Sequence, residues 1–192
     1  MGKTIIVYAH PNKSGFCGNI LSQVIKQLEF QEVDFDIIDL YEIEYNPVMR
    51  NEEHYTSGGY EISEQNKEFQ EMISEAKNLI FIYPTWWQNM PAIVKGFIDR
   101  VFTVGFAFKY EGKMPVKLLK GRNAVVLTTS GAPRILARFL AGDRAMKVLA
   151  KDTLGFCGVK AKGFAIGGAQ KLNDDKNKEI QNMVHKAFNF LQ

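Results

Sequence analysis

Leu79-Ile80-Phe81-Ile82-Tyr83-Pro84-Thr85-Trp86-Trp87-Gln88-Asn89-Met90-Pro91 contains one complete passage from strand to helix. The five leading residues form a short, unbroken apolar run of the kind that is buried on both faces of a sheet, and Pro84 stops it. Pro91 stands where a first helical residue belongs, because its ring pre-sets the backbone and its missing N–H is not needed there. Ile93, Val94, Phe97, Ile98, Val101 and Phe102 follow as a wide apolar stripe at helical spacing.

The same unit recurs on either side. Thr4-Ile5-Ile6-Val7-Tyr8-Ala9 reads as a strand ending at His10-Pro11, and Ile20, Leu21, Val24, Ile25 and Leu28 predict a helix from about Asn19 to Phe30. Phe35 to Leu40 is a second strand, and Asp34, Asp36 and Asp39 suit a sheet edge. Tyr41 to Ile62 shows neither period, carries Pro47, Gly58 and Gly59, and reads as a long loop of the sort that is often functional. Ser63 is an N-cap for a helix burying Phe69, Met72, Ile73 and Ala76.

Gly105 to Gly121 is an aromatic, basic connection, and Ala124 to Thr128 a fourth strand. A helical stretch from Arg134 to about Lys151, broken near Gly142, precedes a weaker fifth strand, Val159 to Ile166. Ile180, Met183, Val184, Ala187, Phe188 and Leu191 mark a terminal helix. Five strands alternating with five helices predict a single α/β domain over residues 1–192, its sheet mainly parallel and covered on both faces. Such sheets bind ligands beyond the carboxyl ends of their strands, at the point where the strand order reverses.

Composition agrees with this and removes several classes. Hydrophobic residues make up 46% and charged residues 23% of the 192, ordinary values for a soluble globular chain. A net charge of +3 is too small to argue for nucleic acid as the main partner. No apolar run approaches the roughly 18 to 20 residues of a bilayer span, and Met1-Gly2-Lys3-Thr4 lacks the layout of a signal peptide. Cys17 and Cys157 form no disulfide framework, and His10, His54 and His185 are not spaced as metal ligands. These features predict a cytoplasmic protein without a metal.

The loops carry the chemistry. No G-x-G-x-x-G, no G-x-x-x-x-G-K-[ST] and no G-x-S-x-G occurs, which removes the dinucleotide fingerprint, the P-loop and the nucleophile elbow. The first loop, His10 to Gly18, runs into a helix start, where backbone N–H groups and the helix dipole suit a phosphate, with Ser14 and Lys13 beside it. A plain βα turn explains the same residues, with His10 as a hydrogen-bonded turn residue and Cys17 as a packed one. The loop after the third strand holds both tryptophans, Trp86 and Trp87. A flat ring such as an isoalloxazine would cover them, and so would a second subunit. Thr128-Thr129-Ser130-Gly131 follows the fourth strand with small residues that let backbone amides approach a ligand edge. In the order 2-1-3-4-5 these three loops flank one crevice.

The chain resembles the flavodoxin-like NAD(P)H:quinone oxidoreductases nearly end to end. The likeness is carried by Ala9-His10-Pro11 with Gly15-Phe16-Cys17, by Asp39-Leu40-Tyr41 with Asn46-Pro47-Val48, and above all by Tyr83 to Phe102. It continues through Gly105-Phe106-Ala107-Phe108 and Leu119-Lys120-Gly121-Arg122 to Thr128-Thr129-Ser130-Gly131. The resemblance implies a flavodoxin-like three-layer sandwich whose five-stranded parallel sheet has the order 2-1-3-4-5. It implies a noncovalent flavin whose phosphate and ribityl chain meet His10, Ser14, Gly15, Phe16 and Cys17. One ring edge would meet the backbone of Pro84, Thr85, Trp86, Trp87 and Gln88, and the other that of Thr128, Thr129, Ser130 and Gly131.

FMN is preferred to FAD, since no segment for an adenine stands out. Trp87, Gly131 and Arg134 are the residues expected at the reacting centre. The family's Tyr and His after this last loop are missing between Ala132 and Gly142, where Arg134 and Arg138 are the only cations. The implied activity is hydride transfer from NAD(P)H to the flavin, then two-electron reduction of a quinone-like acceptor by a ping-pong mechanism, in a homodimer. Two alternatives stand beside it: a flavodoxin-type electron carrier, which the positive charge disfavours, and an ancillary subunit of a membrane transporter.

Overall fold

The computed structural model describes residues 2–57, 60–139 and 142–192, with only the backbone described at Ser57, Ala137 and Arg138. In chain order the elements are β1 (Thr4–Tyr8), α1 (Phe16–Phe30), β2 (Phe35–Asp39), α2 (Glu64–Glu75), β3 (Asn78–Pro84) and α3 (Ala92–Val101). There follow β4 (Phe108–Glu111), β5 (Met114–Lys117), β6 (Asn123–Thr129), α4 (Arg134–Phe139) and α5 (Arg144–Lys147). A π-helical run, Val148–Leu154, leads into α6 (Gly155–Cys157), and β7 (Lys160–Ile166) and α7 (Asp174–Leu191) complete the fold.

The sheet has the order β2-β1-β3-β6-β7 with every pair parallel, which is the expected 2-1-3-4-5 once the separate β4–β5 hairpin is set aside. Alternation along the strands builds two cores. Ile5, Val7, Leu79, Phe81, Ala124 and Val126 face one side with Phe69, Ile73, Val94, Phe97, Leu149 and Leu154. Ile6, Tyr8, Ile80, Ile82, Val125 and Leu127 face the other with Ile20, Val24, Val184 and Phe188. Burying each such side chain contributes about 1.5–3 kcal/mol, so a sheet covered twice explains why its central strands carry unbroken apolar runs such as Ile5 to Tyr8 and Leu79 to Tyr83.

Register positions the site. Tyr8 pairs with Ile82, Tyr83 with Thr128 and Pro84 with Thr129, so β1, β3 and β6 end side by side and their loops open together. Ser63 caps α2 by accepting from Asn66 N–H at 3.4 Å, and Asn173 caps α7 by accepting from Lys176 N–H at 2.8 Å.

The structure differs from the sequence reading at several points. Helix α1 begins at Phe16 rather than Asn19, which puts the whole of Phe16-Cys17-Gly18 into its first turn. Pro91 caps α3 from outside its first residue. The 41–62 segment holds two short 3₁₀ turns, Asn51–Glu53 and Tyr55–Ser57, and is not featureless. The 105–121 connection contains the β4–β5 hairpin, turned at Gly112 with φ +63°. After the turn at Gly142 and Asp143 the helical stretch runs past Lys151 to Cys157, through α5, the π-helical run and α6.

Candidate cofactor cleft

The first loop braces itself before it reaches α1. Asn12 N–H donates to His10 Nδ1 at 3.0 Å, and the Asn12 side-chain oxygen accepts from Ser14 N–H at 2.8 Å and from Ser14 Oγ at 2.7 Å. Lys13 pairs with Asp39 at 2.7 Å and also with Glu42, and these bonds raise the pKa of its ammonium. Its charge is thus neutralised by two carboxylates rather than offered to a phosphate. A Cβ on Gly18 would lie 1.7 Å from the Lys13 carbonyl oxygen, so only glycine lets the loop fold this closely onto the helix. No side chain caps α1. The N–H groups of Phe16, Cys17 and Gly18 make none of the hydrogen bonds of the described residues and are left as first-turn donors.

The second loop is a tight two-residue hairpin. Trp86 N–H donates to Asn89 O at 2.9 Å and Asn89 N–H to Trp86 O at 3.0 Å, with Trp87 at φ +49° and Gln88 at φ +60° between them. Two left-handed residues in succession make a type I′ turn, a conformation that normally selects Asn and Gly. Each non-glycine residue there costs about 1–2 kcal/mol. Thr85 N–H donates to Thr129 O at 2.7 Å and Trp86 N–H is used in the hairpin, so the free backbone donors of this loop are those of Trp87 and Gln88. In the third loop Ser130 N–H donates to Ile166 O at 2.9 Å and Ala132 N–H to Ser130 Oγ at 3.2 Å, which leaves Gly131 N–H.

A cleft of about 280 Å³ opens between these loops. His10, Gly15, Phe16 and Cys17 line one end, Pro84, Thr85 and Trp86 one wall, and Thr129 and Gly131 the other. Gly15 and Gly131 both face open space, with no atom within 4 Å of where a Cβ would stand. The His10 and Trp86 rings approach to 6.3 Å at the mouth. Cys17 Sγ lies 3.5 Å from Thr129 Oγ1 and ties the first loop to the third. Burial pushes the Cys17 thiol up to about 11 against the opposing bond to Thr129, which makes it a packed link rather than a nucleophile.

Six of the expected residues, Ser14, Trp87, Gln88, Thr128, Ser130 and Arg134, are not among those that line this cleft. Ser14 is committed to Asn12, and the Trp87 side chain is 100% exposed. Gln88, Thr128, Ser130 and Arg134 line a narrow adjoining groove, which shares Thr85 with the cleft wall. Arg134 is held there by a bidentate pair with Asp143, and the side chain of Arg138 lies outside the described residues. Sequence reasoning missed Ala169 and Gln170, which close the cleft from the β7–α7 connection. Their signal was Gly167-Gly168-Ala169 directly after the fifth strand, the same run of small residues that marks the third loop. The 41–62 segment faces elsewhere. With the hairpin it forms a second cavity of about 400 Å³, lined by Met49, Tyr55, Tyr60, Phe102, Phe108 and Tyr110 among others.

Among the described residues no group of three or more His, Cys, Asp or Glu side chains is arranged to hold a metal ion. Among them also, no helix is long and apolar enough to cross a membrane.

Comparison with known proteins agrees with this geometry. A family model described as flavodoxin-like fold matches residues 2–190. A Haemophilus influenzae protein named as an uncharacterized NAD(P)H oxidoreductase is 31% identical over 174 residues, 90% of this chain and 86% of that one. The chain belongs to the flavodoxin-like NAD(P)H:quinone oxidoreductase family. Mouse ribosyldihydronicotinamide dehydrogenase [quinone] is 30% identical over 93% of this chain and 86% of its own. The NAD(P)H:quinone oxidoreductase of Methanothermobacter marburgensis superposes with a TM-score of 0.81 at 28% identity, covering 96% of this chain and 94% of that one. Membership of this oxidoreductase family makes the chain an enzyme, and the cleft is the place to look for its chemistry.

Proposed function

We propose that the protein is a flavin-dependent NAD(P)H oxidoreductase that holds FMN in this cleft and reduces a quinone-class acceptor. The observation that carries the reading is the set of backbone N–H groups the fold leaves unused, three at the start of α1 and three at Trp87, Gln88 and Gly131. The first set fits a phosphate, since a helix N-terminus combines aligned donors with a favourable dipole. The second fits the polar edges of a flat heterocycle, and the open space above Gly15 and Gly131 fits its close approach.

Each part of the chain then has a task. Phe16, Cys17 and Gly18 bind the phosphate through backbone N–H, and His10 and Trp86 cover the mouth. Trp87, Gln88 and Gly131 orient the ring through their own N–H groups. Arg134 sits behind the third loop, at the groove that shares Thr85 with the cleft. A flavin held here would supply the two-electron redox chemistry that links NAD(P)H to the acceptor. One cleft serving both substrates in turn predicts parallel double-reciprocal lines. The +3 charge and the membership argue against a flavodoxin-type carrier.

The relatives named above support NAD(P)H as donor and a quinone as acceptor. A homodimer is part of the proposal, because Trp87, Ile135 and Phe139 expose large apolar side chains. Two free, buried thiols fit a reducing cytoplasm. The test is anaerobic. The purified protein, loaded with FMN, is titrated with NADH and with NADPH. Bleaching of the yellow absorbance, with its return on adding a benzoquinone, supports the reading. A protein that takes up neither FMN nor FAD overturns it.

A further inference from the structure

Arg134 does not present a free charge to the groove behind the third loop. Its guanidinium makes two hydrogen bonds to Asp143, one of them Nη2 to Oδ2 at 3.0 Å. The Asp143 side chain is only 9% exposed and that of Arg134 34%. The chain bends sharply to achieve this. Gly142 has φ +61° and Asp143 φ +58°, so two successive left-handed residues deliver the carboxylate to its partner. A left-handed aspartate costs free energy, and such residues persist where the surrounding structure demands a specific placement. Arg134 is fixed from the backbone side as well, since a Cβ on Gly167 would stand 2.2 Å from the Arg134 nitrogen.

The pair lines the groove together with Thr85, Gln88, Thr128, Ser130 and a second cation, Arg144, which the variants below leave in place. Thr85 also lines the cofactor cleft, and the neighbouring Gln88 N–H makes none of the hydrogen bonds of the described residues. A two-electron acceptor that gains negative charge on reduction responds to any net charge fixed nearby, and does so most where water is displaced. An arginine alone would add a full positive charge. The bidentate pair adds close to none.

We propose that Asp143 is a charge-setting residue for the flavin: it neutralises Arg134 and so holds the cofactor's reduction potential below the value a lone arginine would impose. This rests on the flavin reading above and deepens it. Asp143 touches no substrate and acts through Arg134.

The experiment compares the FMN-loaded wild type with Asp143→Asn, Arg134→Gln and the double variant. Asparagine tolerates left-handed backbone, so Asp143→Asn keeps the turn. Midpoint potentials are read spectroscopically against reference dyes, with no turnover involved. Asp143→Asn leaves an unbalanced cation, and the reduced-to-oxidised ratio at a fixed applied potential is expected to rise about tenfold, close to 30 mV for a two-electron couple. Arg134→Gln removes the cation and keeps the Asp143 carboxylate, and is expected to shift the ratio the opposite way by a similar factor. The double variant returns near the wild type.

A purely structural role would lower stability in both single variants without opposed shifts. Single variants that bind FMN with unmoved potentials, or with shifts of one sign, overturn the proposal while leaving the flavin reading intact. A wild type that binds no flavin overturns both, and is recognised before any potential is measured.

Discussion

Replacing Gly18 by alanine tests the phosphate cradle directly. The added Cβ would stand 1.7 Å from the Lys13 carbonyl oxygen and 2.4 Å from its carbon, and both atoms are backbone. Reaching even a tight contact of 3.0 Å needs a retreat of roughly 1.3 Å by the loop or the helix start. That loop is pinned by Asn12, Ser14 and the Lys13–Asp39 pair, so the strain has few places to go. Overpacking of this kind costs about 1–3 kcal/mol, against a gain of about 1 kcal/mol from placing alanine in a helix. The fold is therefore expected to survive with a net loss of about 0–2 kcal/mol, or a few degrees in melting temperature.

Cofactor binding is hit harder. A displacement of more than an ångström takes at least one charge-assisted bond from the phosphate, about 1.5–3 kcal/mol, which weakens affinity roughly ten- to more than a hundredfold. The assay is a fluorescence titration of the folded apoprotein with FMN and, in parallel, with riboflavin. Riboflavin has no phosphate, and its affinity should change little. Gly15→Ala controls for stability alone, because nothing lies within 4 Å of its Cβ position in the free protein. A folded Gly18→Ala protein that binds FMN as the wild type does, or that loses riboflavin equally, would refute the assignment of the α1 N-terminus to the phosphate.

Other measurements reach other parts of the molecule. Gln88→Gly relieves a left-handed residue and should raise the melting temperature by about 1–3 °C, allowing for glycine's extra freedom in the unfolded chain; a fall would show that the turn is not strained. Glu53→Gln removes the carboxylate that Arg100 grips at 2.6 Å in a site where both side chains are about nine-tenths buried, and denaturant unfolding should register a loss of about 3 kcal/mol, near the lower end for a broken buried pair.

Burial pushes the Glu53 carboxyl up, but the bonds and charges of Arg100 and Arg50 outweigh it and hold the group below its ordinary 4.5. Its contribution is present above that value and is lost as pH falls through the depressed one. The acid limb of the stability curve should accordingly be shallower in Glu53→Gln. Burial also places the Cys17 and Cys157 thiols at about 11. Neither should react with a disulfide reagent at pH 8 until denaturant is added; rapid labelling of the native protein would contradict the packing described.

Much of the architecture could be read in the chain because a doubly covered parallel sheet writes itself as short, unbroken apolar runs. Ile5 to Tyr8 and Leu79 to Tyr83 are buried to the last residue. The β4–β5 hairpin escaped notice for the opposite reason: Lys109, Tyr110, Glu111 and Met114 are exposed, so no buried period marks it. The start of α1 was set late because Gly18 reads as loop, whereas its missing side chain is what lets Lys13 close over the first turn. Ion pairs were beyond reach. Lys13 with Asp39 and Arg100 with Glu53 join residues far apart in the chain, and neither member announces its partner. The strand-end loops were legible as a site, but which of their residues face the cleft was not. That depends on the hairpin at Trp87 and Gln88, a turn their residue types do not favour.

The unfavourable turn is itself informative. A sequence free to choose would place Asn-Gly at positions 87 and 88 and recover about 1–2 kcal/mol at each. Retaining Trp and Gln there gives no visible gain to the free protein, since Trp87 buries nothing and the hairpin's own bonds come from Trp86 and Asn89. What the geometry does provide is two N–H groups free of the hydrogen bonds of the described residues, in the loop after the central strand and next to the Thr85 and Trp86 that line the cleft. The donors beside them are tied down: Thr85 to Thr129, Trp86 to Asn89, Ser130 to Ile166. The fold thus separates backbone groups that hold the sheet ends together from unused ones, and of the latter Phe16, Cys17 and Gly131 belong to residues that line one cavity. Local strain at that border, with the strained residues contributing free donors, is the pattern expected where binding rather than folding sets the conformation.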